Sequence, residues 1–429
     1  MTIALIVLAI FILLFLRVPI AFAILLPCVT YVMVESPASA GTMLQRFTST
    51  LDSFPLLAVP LFILVGYVAE QSGMAARLID AITLVTKRLK GNIGYANVLG
   101  SFTFSWMSGS ATADAAAMGS VMMPAMKRAG YKPGFSAGLT ATSTMIGPLI
   151  PPSIGAVLFG VLSGTSIATM FVAGVVPGLL VTIGLLAYVF FYVRKNPPAE
   201  EDIEVSESSH LPGWRILLRA LPVLFAPVVI LGGILAGIMT PTEAAGVGAL
   251  YLIVVATIGR WMSFSGLRTA LERSVTTTGR VMIIASAGGI LAYVMAREGA
   301  SRTLTDVLQS LSTNPWVFIL LVNIFLLLLG MFLESTAALL ITVPLLLPIA
   351  SAYDIDPAQF GIIVLLNLSM GLLTPPVGLV LHVISDVGNM DFWQVVRGVL
   401  APGAVLLVVL MMVSYIPLVT TGLPRALGM

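Results

Sequence analysis

The chain has 429 residues, of which 58% are hydrophobic and 9% are charged, with a net charge of +2 and a mean hydropathy of +1.06. This composition excludes a water-soluble domain, because a water-facing surface needs far more charged side chains. The single cysteine, Cys28, excludes an internal disulfide and a cysteine metal cluster. Many apolar stretches are long enough to cross about 30 Å of hydrocarbon, so we expect an all-α polytopic membrane protein.

The first half, residues 1–193, begins with scaffold helices within 1–70. No basic segment precedes the apolar run at the start, so we expect a retained span and not a signal peptide. Residues 74–90 carry apolar side chains (Met74, Leu78, Ile82, Val85 and Leu89) on one helical face, which predicts a helix along the membrane interface. The candidate spans of the whole chain are 2–16, 20–34, 54–70, 171–193, 217–238, 242–259, 280–296 and 399–418.

Each half also contains a hairpin followed by a broken helix. In the first half the hairpin is 92–130 and the broken helix is 133–160. In the second half, 216–429, they are 315–352 and 357–384. The segment 194–215 joins the halves and includes Glu200, Glu201, Asp202, Glu204 and Glu207. Its charge predicts a flexible cytoplasmic linker, with an acidic docking tail as the alternative.

Residues 112–152 and 336–376 are two copies of one pattern, aligned without gaps at a constant offset of 224. Each copy holds five prolines, and four of these coincide. Internal repeats built from interrupted apolar segments are typical of secondary transporters. Lys127, Arg128 and Lys132 follow the first hairpin, whereas the equivalent region of the second copy carries Asp354 and Asp356. We therefore predict inverted repeats with two re-entrant hairpins.

The distribution of lysine and arginine predicts the orientation. With the N-terminus outside, 17 basic residues lie in inner loops and 4 lie outside, which satisfies the positive-inside rule. Both termini are then periplasmic.

The interrupted segments carry the candidate site. Adjacent prolines remove amide donors and free upstream carbonyls, and free carbonyls at membrane depth are tolerated only where they line a cavity or bind something. We expect them to bind sodium together with hydroxyls of the hairpin tips, while helix N-termini receive a substrate carboxylate. The candidate substrate contacts are Thr112, Asp114, Ser153, Glu334 and Asn367.

Several of these features have structural alternatives. Proline kinks occur in many membrane helices without ligands. Asp114 is expensive at membrane depth, which favours an ion or substrate contact, but it also lies where a carboxylate could cap a helix. Glu334 has the same two interpretations. Thr240-Pro241-Thr242-Glu243 predicts a capping box with a role in folding only.

The chain resembles the large membrane subunit of tripartite ATP-independent periplasmic (TRAP) transporters over essentially its whole length. The segments that carry the resemblance are SGSATADAAAMGSVMMPAMKRAGY (108–131), IPPS (150–153), MFVAGVVPGLL (170–180), TPTEAAGVGAL (240–250) and LLTPPVG (372–378). The resemblance implies sodium-coupled import of a small organic acid across the bacterial inner membrane by an elevator motion. It also implies two partners, a separate small four-helix membrane subunit and a periplasmic substrate-binding protein.

By motif position, the resemblance places one sodium site on Ser108, Ser110, Gly147, Ile150 and Pro151. It places the other on Ser335, Thr336, Gly371, Thr374 and Pro375. No cofactor, catalytic residue or nucleic-acid partner is expected, and sodium is the only metal. The alternatives are a stand-alone divalent-anion/sodium symporter without a binding protein, an intramembrane hydrolase and a passive channel.

Overall fold

The computed structural model describes residues 2–35, 40–198 and 212–429, and these ranges contain helices and no β-strand. The all-α class predicted from composition is confirmed. The five acidic residues of the predicted linker (Glu200, Glu201, Asp202, Glu204 and Glu207) lie outside the described residues.

The helices of the first half are α1 (Thr2–Phe15), α2 (Ile20–Glu35), α3 (Ala40–Leu51), α4 (Ala58–Gln71), α5 (Met74–Thr86), α6 (Asn92–Ser108), α7 (Ala111–Arg128), α8 (Pro133–Ser143), α9 (Ile154–Ser163) and α10 (Ile167–Lys195). Those of the second half are α11 (Gly213–Leu235), α12 (Pro241–Ile258), α13 (Phe264–Arg297), α14 (Ala300–Leu311), α15 (Pro315–Gly330), α16 (Ser335–Ala352), α17 (Pro357–Gly371), α18 (Leu379–Gly388), α19 (Phe392–Tyr415) and α20 (Leu418–Ala426).

Within the described ranges, seven helices are long and apolar enough to cross a bilayer: α4 with the turn before it, α10, α11, α12, α13, α16 and α19. Two predicted spans, 2–16 and 20–34, correspond to α1 and α2, which have 14 and 16 residues. Both are shorter than the roughly 20 residues that a perpendicular span needs.

Helix α13 differs most from its prediction. It has 34 residues and begins well before the predicted span 280–296. The Ser263 side chain caps it by accepting from the Gly266 amide, and Arg268 pairs with Glu272 one turn along. At about 1.5 Å per residue this helix is about 51 Å long, so its polar first turns extend beyond the hydrocarbon.

The capping box before α12 and the helix predicted at 74–90 can both be compared with the structure. The capping box is confirmed, because Glu243 accepts from the Thr240 amide at 2.8 Å and Thr240 accepts from the Glu243 amide at 3.3 Å. Helix α5 buries Met74, Leu78 and Ile79, and it packs on α6 and α11. Val85, placed on the same apolar face from the sequence, is 71% exposed. Helices α3 and α20 were not predicted.

The two halves pack across each other. Helix α7 contacts α18, and its counterpart α16 contacts α9. Both ends of α7 and α16 differ by the repeat offset of 224, and each helix has 18 residues. The second arm of each hairpin is therefore covered by the helix that follows the break in the other half.

A close backbone approach between the halves joins α8 to α19. A Cβ added to Gly138 would overlap the Gly398 carbonyl, and one added to Gly398 would overlap the Gly134 carbonyl. Only glycine allows these two backbones to touch.

We expect Gly138→Ala to lower the free energy of unfolding by about 1–3 kcal/mol, because the new methyl group must push the two backbones apart. Gly232→Ala is the control, since a Cβ at Gly232 meets nothing within 4 Å. The control should be neutral or stabilising by up to about 1 kcal/mol. Thermal unfolding in one detergent measures both variants, and equal melting temperatures would contradict the close approach.

Candidate functional site

The tip of the first hairpin lies directly on the first broken helix. Helix α6 ends at Ser108, Gly109 follows with φ 56°, and the extended residue Ser110 begins α7. A Cβ on Gly109 would lie 3.0 Å from the Pro152 carbonyl oxygen and 3.1 Å from the Ile154 amide nitrogen. Glycine is required here both for the left-handed turn and for the contact between two backbones.

Asp114 connects this tip to the break. The side chain is fully buried, and the Ser108 hydroxyl donates to its Oδ1. Among the described residues, Oδ2 has no hydrogen-bond partner. A Cβ added to Gly147 would overlap this same oxygen, so Oδ2 faces the backbone where α8 stops. A free carboxylate oxygen of the first hairpin thus lies next to the backbone of the first break, in the protein interior.

The capping alternative for Asp114 fits the structure poorly. The residue at the N-cap position of α7 is Ser110, and the described hydrogen bonds include none from a backbone amide to the Asp114 carboxylate. The Asp114 amide is satisfied by the Ser110 carbonyl at 3.0 Å. This carboxylate is aimed into the site and not at the end of its own helix.

The first break runs from Gly147 to Ser153. The Gly147 amide donates to Thr144 and the Ile150 amide donates to Ile146, after which two prolines offer no amide. Ser153 begins α9 by accepting from the Ala156 amide at 3.3 Å. Within the part of the chain that the structure describes, the carbonyl oxygens of residues 147–152 accept no hydrogen bond.

The second break repeats this arrangement. Helix α17 ends at Gly371, and the Thr374 amide donates to the Gly371 carbonyl at 2.9 Å. The next helix starts only at Leu379, and no described donor binds the carbonyls of residues 373–377. The Pro151-Pro152 and Pro375-Pro376 peptide bonds are both cis, so the two breaks share their local geometry.

The second hairpin tip also touches its own break. A Cβ on Gly330, the last residue of α15, would lie 3.1 Å from the Gly371 Cα. The Gly378 amide donates to the Met331 carbonyl at 3.4 Å. Each half therefore brings one hairpin tip onto one run of unpaired carbonyls.

The side chains of the second tip are arranged differently from those of the first. Glu334 caps α16 by accepting from the Thr336 and Ala337 amides at 2.9 and 3.3 Å, and the Thr336 hydroxyl donates to it. The Ser335 hydroxyl is buried and has no partner among the residues described. Glu334 thus has a structural role as a cap, whereas its substrate contact remains a prediction.

The remaining predicted residues lie at the first hairpin tip and in the two breaks. Ser110 and Thr112 lie together at the first tip, with their hydroxyl oxygens 3.2 Å apart. Ile150, next to Pro151 in the break, turns its side chain toward Gly178 of α10, so only its carbonyl is available to the tip. Thr374, which precedes Pro375, donates its hydroxyl to the Met370 carbonyl at 3.0 Å.

Asn367 lies away from the tips, in a buried polar network. Its amide donates to Asn323 of α15, and Asn323 donates to Ser414 of α19 at 3.0 Å. The aligned residue of the first half, Ser143, is 2.8 Å from Ser101 of α6. Both halves thus join a hairpin arm to the helix before the break by a polar contact, in which the residues on that helix, Ser143 and Asn367, match at the offset of 224. The matching polar positions were visible in the repeat, but the sequence does not show which residues they meet.

The donor set fits a hard cation and not a transition metal. The described residues include no group of three or more His, Cys, Asp or Glu side chains that could hold a metal. Carbonyl, hydroxyl and single carboxylate oxygens are hard ligands that suit alkali and alkaline-earth ions and not zinc or copper.

The fold and the interrupted helices define a multi-span membrane protein of the secondary-transporter class. The chain belongs to the family described as tripartite ATP-independent periplasmic transporter, DctM component, whose model matches residues 7–419. The family predicted from the sequence is confirmed.

Two relatives and one solved structure illustrate the similarity. The sialic acid TRAP transporter large permease protein SiaM of Vibrio cholerae is 38% identical over 414 residues, covering 96% of each chain. The C4-dicarboxylate TRAP transporter large permease protein DctM of Pseudomonas aeruginosa is 38% identical over 403 residues, covering 93% of this chain and 92% of that one. The fold is similar to that of MtrF, an antimetabolite efflux pump of Neisseria gonorrhoeae, with a TM-score of 0.62 at 12% identity over 96% of this chain and 94% of that one.

We expect Asn323→Leu to lower the free energy of unfolding by about 1–3 kcal/mol, because it leaves the buried Asn367 amide without its acceptor. The double variant with Asn367→Leu should recover part of this loss, since both polar groups are then gone. Thermal unfolding of the two single variants and the double variant measures the coupling. Strictly additive effects would contradict the network.

Proposed function

We propose that this chain is the large permease of a sodium-coupled importer of a small organic acid in the bacterial inner membrane. The observation that carries the proposal is the pair of carbonyl runs without described donors, each lying against a hairpin tip; residues 147–152 are buried, whereas the second run is half-buried with Pro376 exposed. Buried peptide oxygens without donors are strongly unfavourable unless something else satisfies them.

Sodium is the ion that these oxygens suit. The first site would combine the Ser108 and Ser110 hydroxyls, the Asp114 carboxylate and carbonyls from Gly147 to Pro151. The second would combine Ser335 and Thr336 with carbonyls from Gly371 to Pro375. The unpaired Asp114 Oδ2 and Ser335 Oγ support this assignment, because each is a buried oxygen without a hydrogen-bond partner among the described residues.

The proposed substrate is a carboxylate that binds near the hairpin tips. The N-terminus of α7 carries the Ser110 and Thr112 hydroxyls and the positive end of a helix dipole, which favours an anion. The two relatives named above are described as permeases for sialic acid and for C4-dicarboxylates, and both ligands are carboxylates. Ser153, buried at the start of α9 beside the first tip, is placed to line the same region.

The proposed movement is an elevator motion of inverted repeats. The cross-packing of α7 on α18 and of α16 on α9 supports it, because both tips and both breaks then belong to one packed body. Helices α4, α11, α12 and α13 form a second set of mutual contacts and would serve as the scaffold.

The membrane potential makes this coupling effective. Two sodium ions entering with one monocarboxylate move one net charge, which gains about 2.3 kcal/mol per 100 mV. This equals roughly 50-fold accumulation before the sodium gradient is counted.

The proposed partners are a separate small four-helix membrane subunit and a periplasmic substrate-binding protein. A stand-alone symporter would need neither, so uptake with and without an added binding protein separates the two functions. Strict dependence on the binding protein is the result we expect.

Proteoliposomes that contain the chain and its partners test the sodium sites. Ser110→Leu and Thr374→Leu should abolish sodium-driven uptake while membrane insertion stays normal, because a bulky side chain fills the oxygen-lined space. Thr257→Leu is the matched control, since Thr257 donates to the carbonyl four residues earlier, as Thr374 does, but lies exposed on α12. Equal uptake in potassium-only buffer would overturn the proposal.

Asp114→Asn separates ion binding from a structural role. It preserves the shape of the side chain and removes its charge, so the sodium concentration for half-maximal uptake should rise about tenfold or more. Unchanged sodium dependence together with a lower melting temperature would assign Asp114 to folding.

A further inference from the structure

A large apolar cavity lies beside the second hairpin tip, on the surface that faces lipid. Its volume is about 900 Å³, and α1, α2, α13 and α15 supply its walls. Phe15 at the end of α1 and Phe332 at the tip both line it, with ring centroids 6.0 Å apart. Phe15 is 73% exposed and Phe332 is 48% exposed, so both rings are accessible from outside the protein. The cavity lies between the α1–α2 pair and the hairpin.

Two arginines stand at this otherwise apolar cavity. Arg17 and Arg280 both line it, and in the part of the chain that is described neither guanidinium has an acceptor, a carboxylate or an aromatic ring as partner. Arg280 lies where the polar first turns of α13 give way to its apolar part. A guanidinium at the edge of the hydrocarbon requires an anionic partner or water, and a phosphate accepts its two parallel N–H groups.

The backbone at Arg17 strengthens this point. Arg17 has φ 62°, and the Val18 amide donates back to the Leu13 carbonyl at 3.0 Å, which is the helix-ending arrangement that usually takes glycine. An arginine is less favourable than glycine at this position. Glycine therefore suits this backbone, and Arg17→Gly removes the guanidinium without straining the turn.

We propose that the cavity binds an anionic phospholipid, with the phosphate on Arg17 and Arg280 and acyl chains along Phe11, Phe15 and Phe325. The apolar walls favour a lipid over a free anion, and the two unpartnered guanidinium groups favour a net negative headgroup over a zwitterionic one. Because Phe332 belongs to the hairpin tip, the bound lipid links that tip to α1 and α2. The inference does not depend on sodium coupling.

Photo-crosslinking tests the site directly. The full chain is placed in phosphatidylcholine nanodiscs with a trace of phosphatidylglycerol that carries a photoreactive acyl chain, and the labelled peptides are identified by mass spectrometry. Labelling should concentrate on the cavity walls. Arg17→Gly and Arg280→Gln should each lower it about fivefold. Arg17→Gly should fold normally, because glycine suits the positive φ.

Arg260→Gly is the matched control. Arg260 also has a positive φ (55°) at the end of a helix, with the Trp261 amide donating back to Ala256 at 2.8 Å, but it does not line the cavity. Its labelling should equal that of the unmodified chain, and free inorganic phosphate should not compete, because it makes no use of the apolar walls.

Three results would overturn the proposal. The first is equal labelling of the unmodified chain and a variant with both Arg17→Gly and Arg280→Gln. The second is equal labelling by a photoreactive phosphatidylcholine, which would mean nonspecific lipid contact. The third is loss of labelling when the small permease subunit is co-purified, which would assign the cavity to the interface between subunits.

Discussion

The architecture depends on one constraint, which is that a peptide carbonyl inside a membrane protein must have a partner. Prolines at 151–152 and 375–376 break this rule twice, leaving the oxygens of residues 147–152 and 373–377 without donors among the described residues. Both runs lie against hairpin tips that approach so closely that glycine is needed at 109, 330 and 371. The prolines thus free the carbonyls, and the glycines allow the hairpin tips to contact them. The two features depend on each other.

The two halves have the same order of hairpin and broken helix, but different side chains at the hairpin tips. The N-cap positions of α7 and α16 align, yet one holds Ser110 and the other Glu334. Glu334 uses its carboxylate on the amides of its own helix, whereas the free carboxylate oxygen of the first half, Asp114 Oδ2, faces Gly147. Each helix therefore has one carboxylate in or next to its first turn, but only Glu334 binds the amides of its own helix.

Much of the local structure could be predicted from the sequence. The prolines and the Ser/Thr-rich turns place the breaks, and the first hairpin predicted at 92–130 corresponds to α6 and α7, which together run from Asn92 to Arg128. The start of α13 was missed because its first turns are polar and carry no hydropathy signal. The contact between Asp114 and Gly147 was missed because the two residues are far apart along the chain, and periodicity reports only local neighbours. The cap formed by Glu334 was one of two interpretations that spacing alone could not separate.

The crossed pairing of α9 with α16 has a consequence for how the protein is made. Helix α9 ends at Ser163, but its partner begins only at Ser335. At the usual rate of 5–20 residues per second, translation needs on the order of 10–30 s to reach the second hairpin. During this interval α9 lacks the helix that packs on it in the folded protein. The packing of the first half is therefore complete only after more than half of the second has been synthesised.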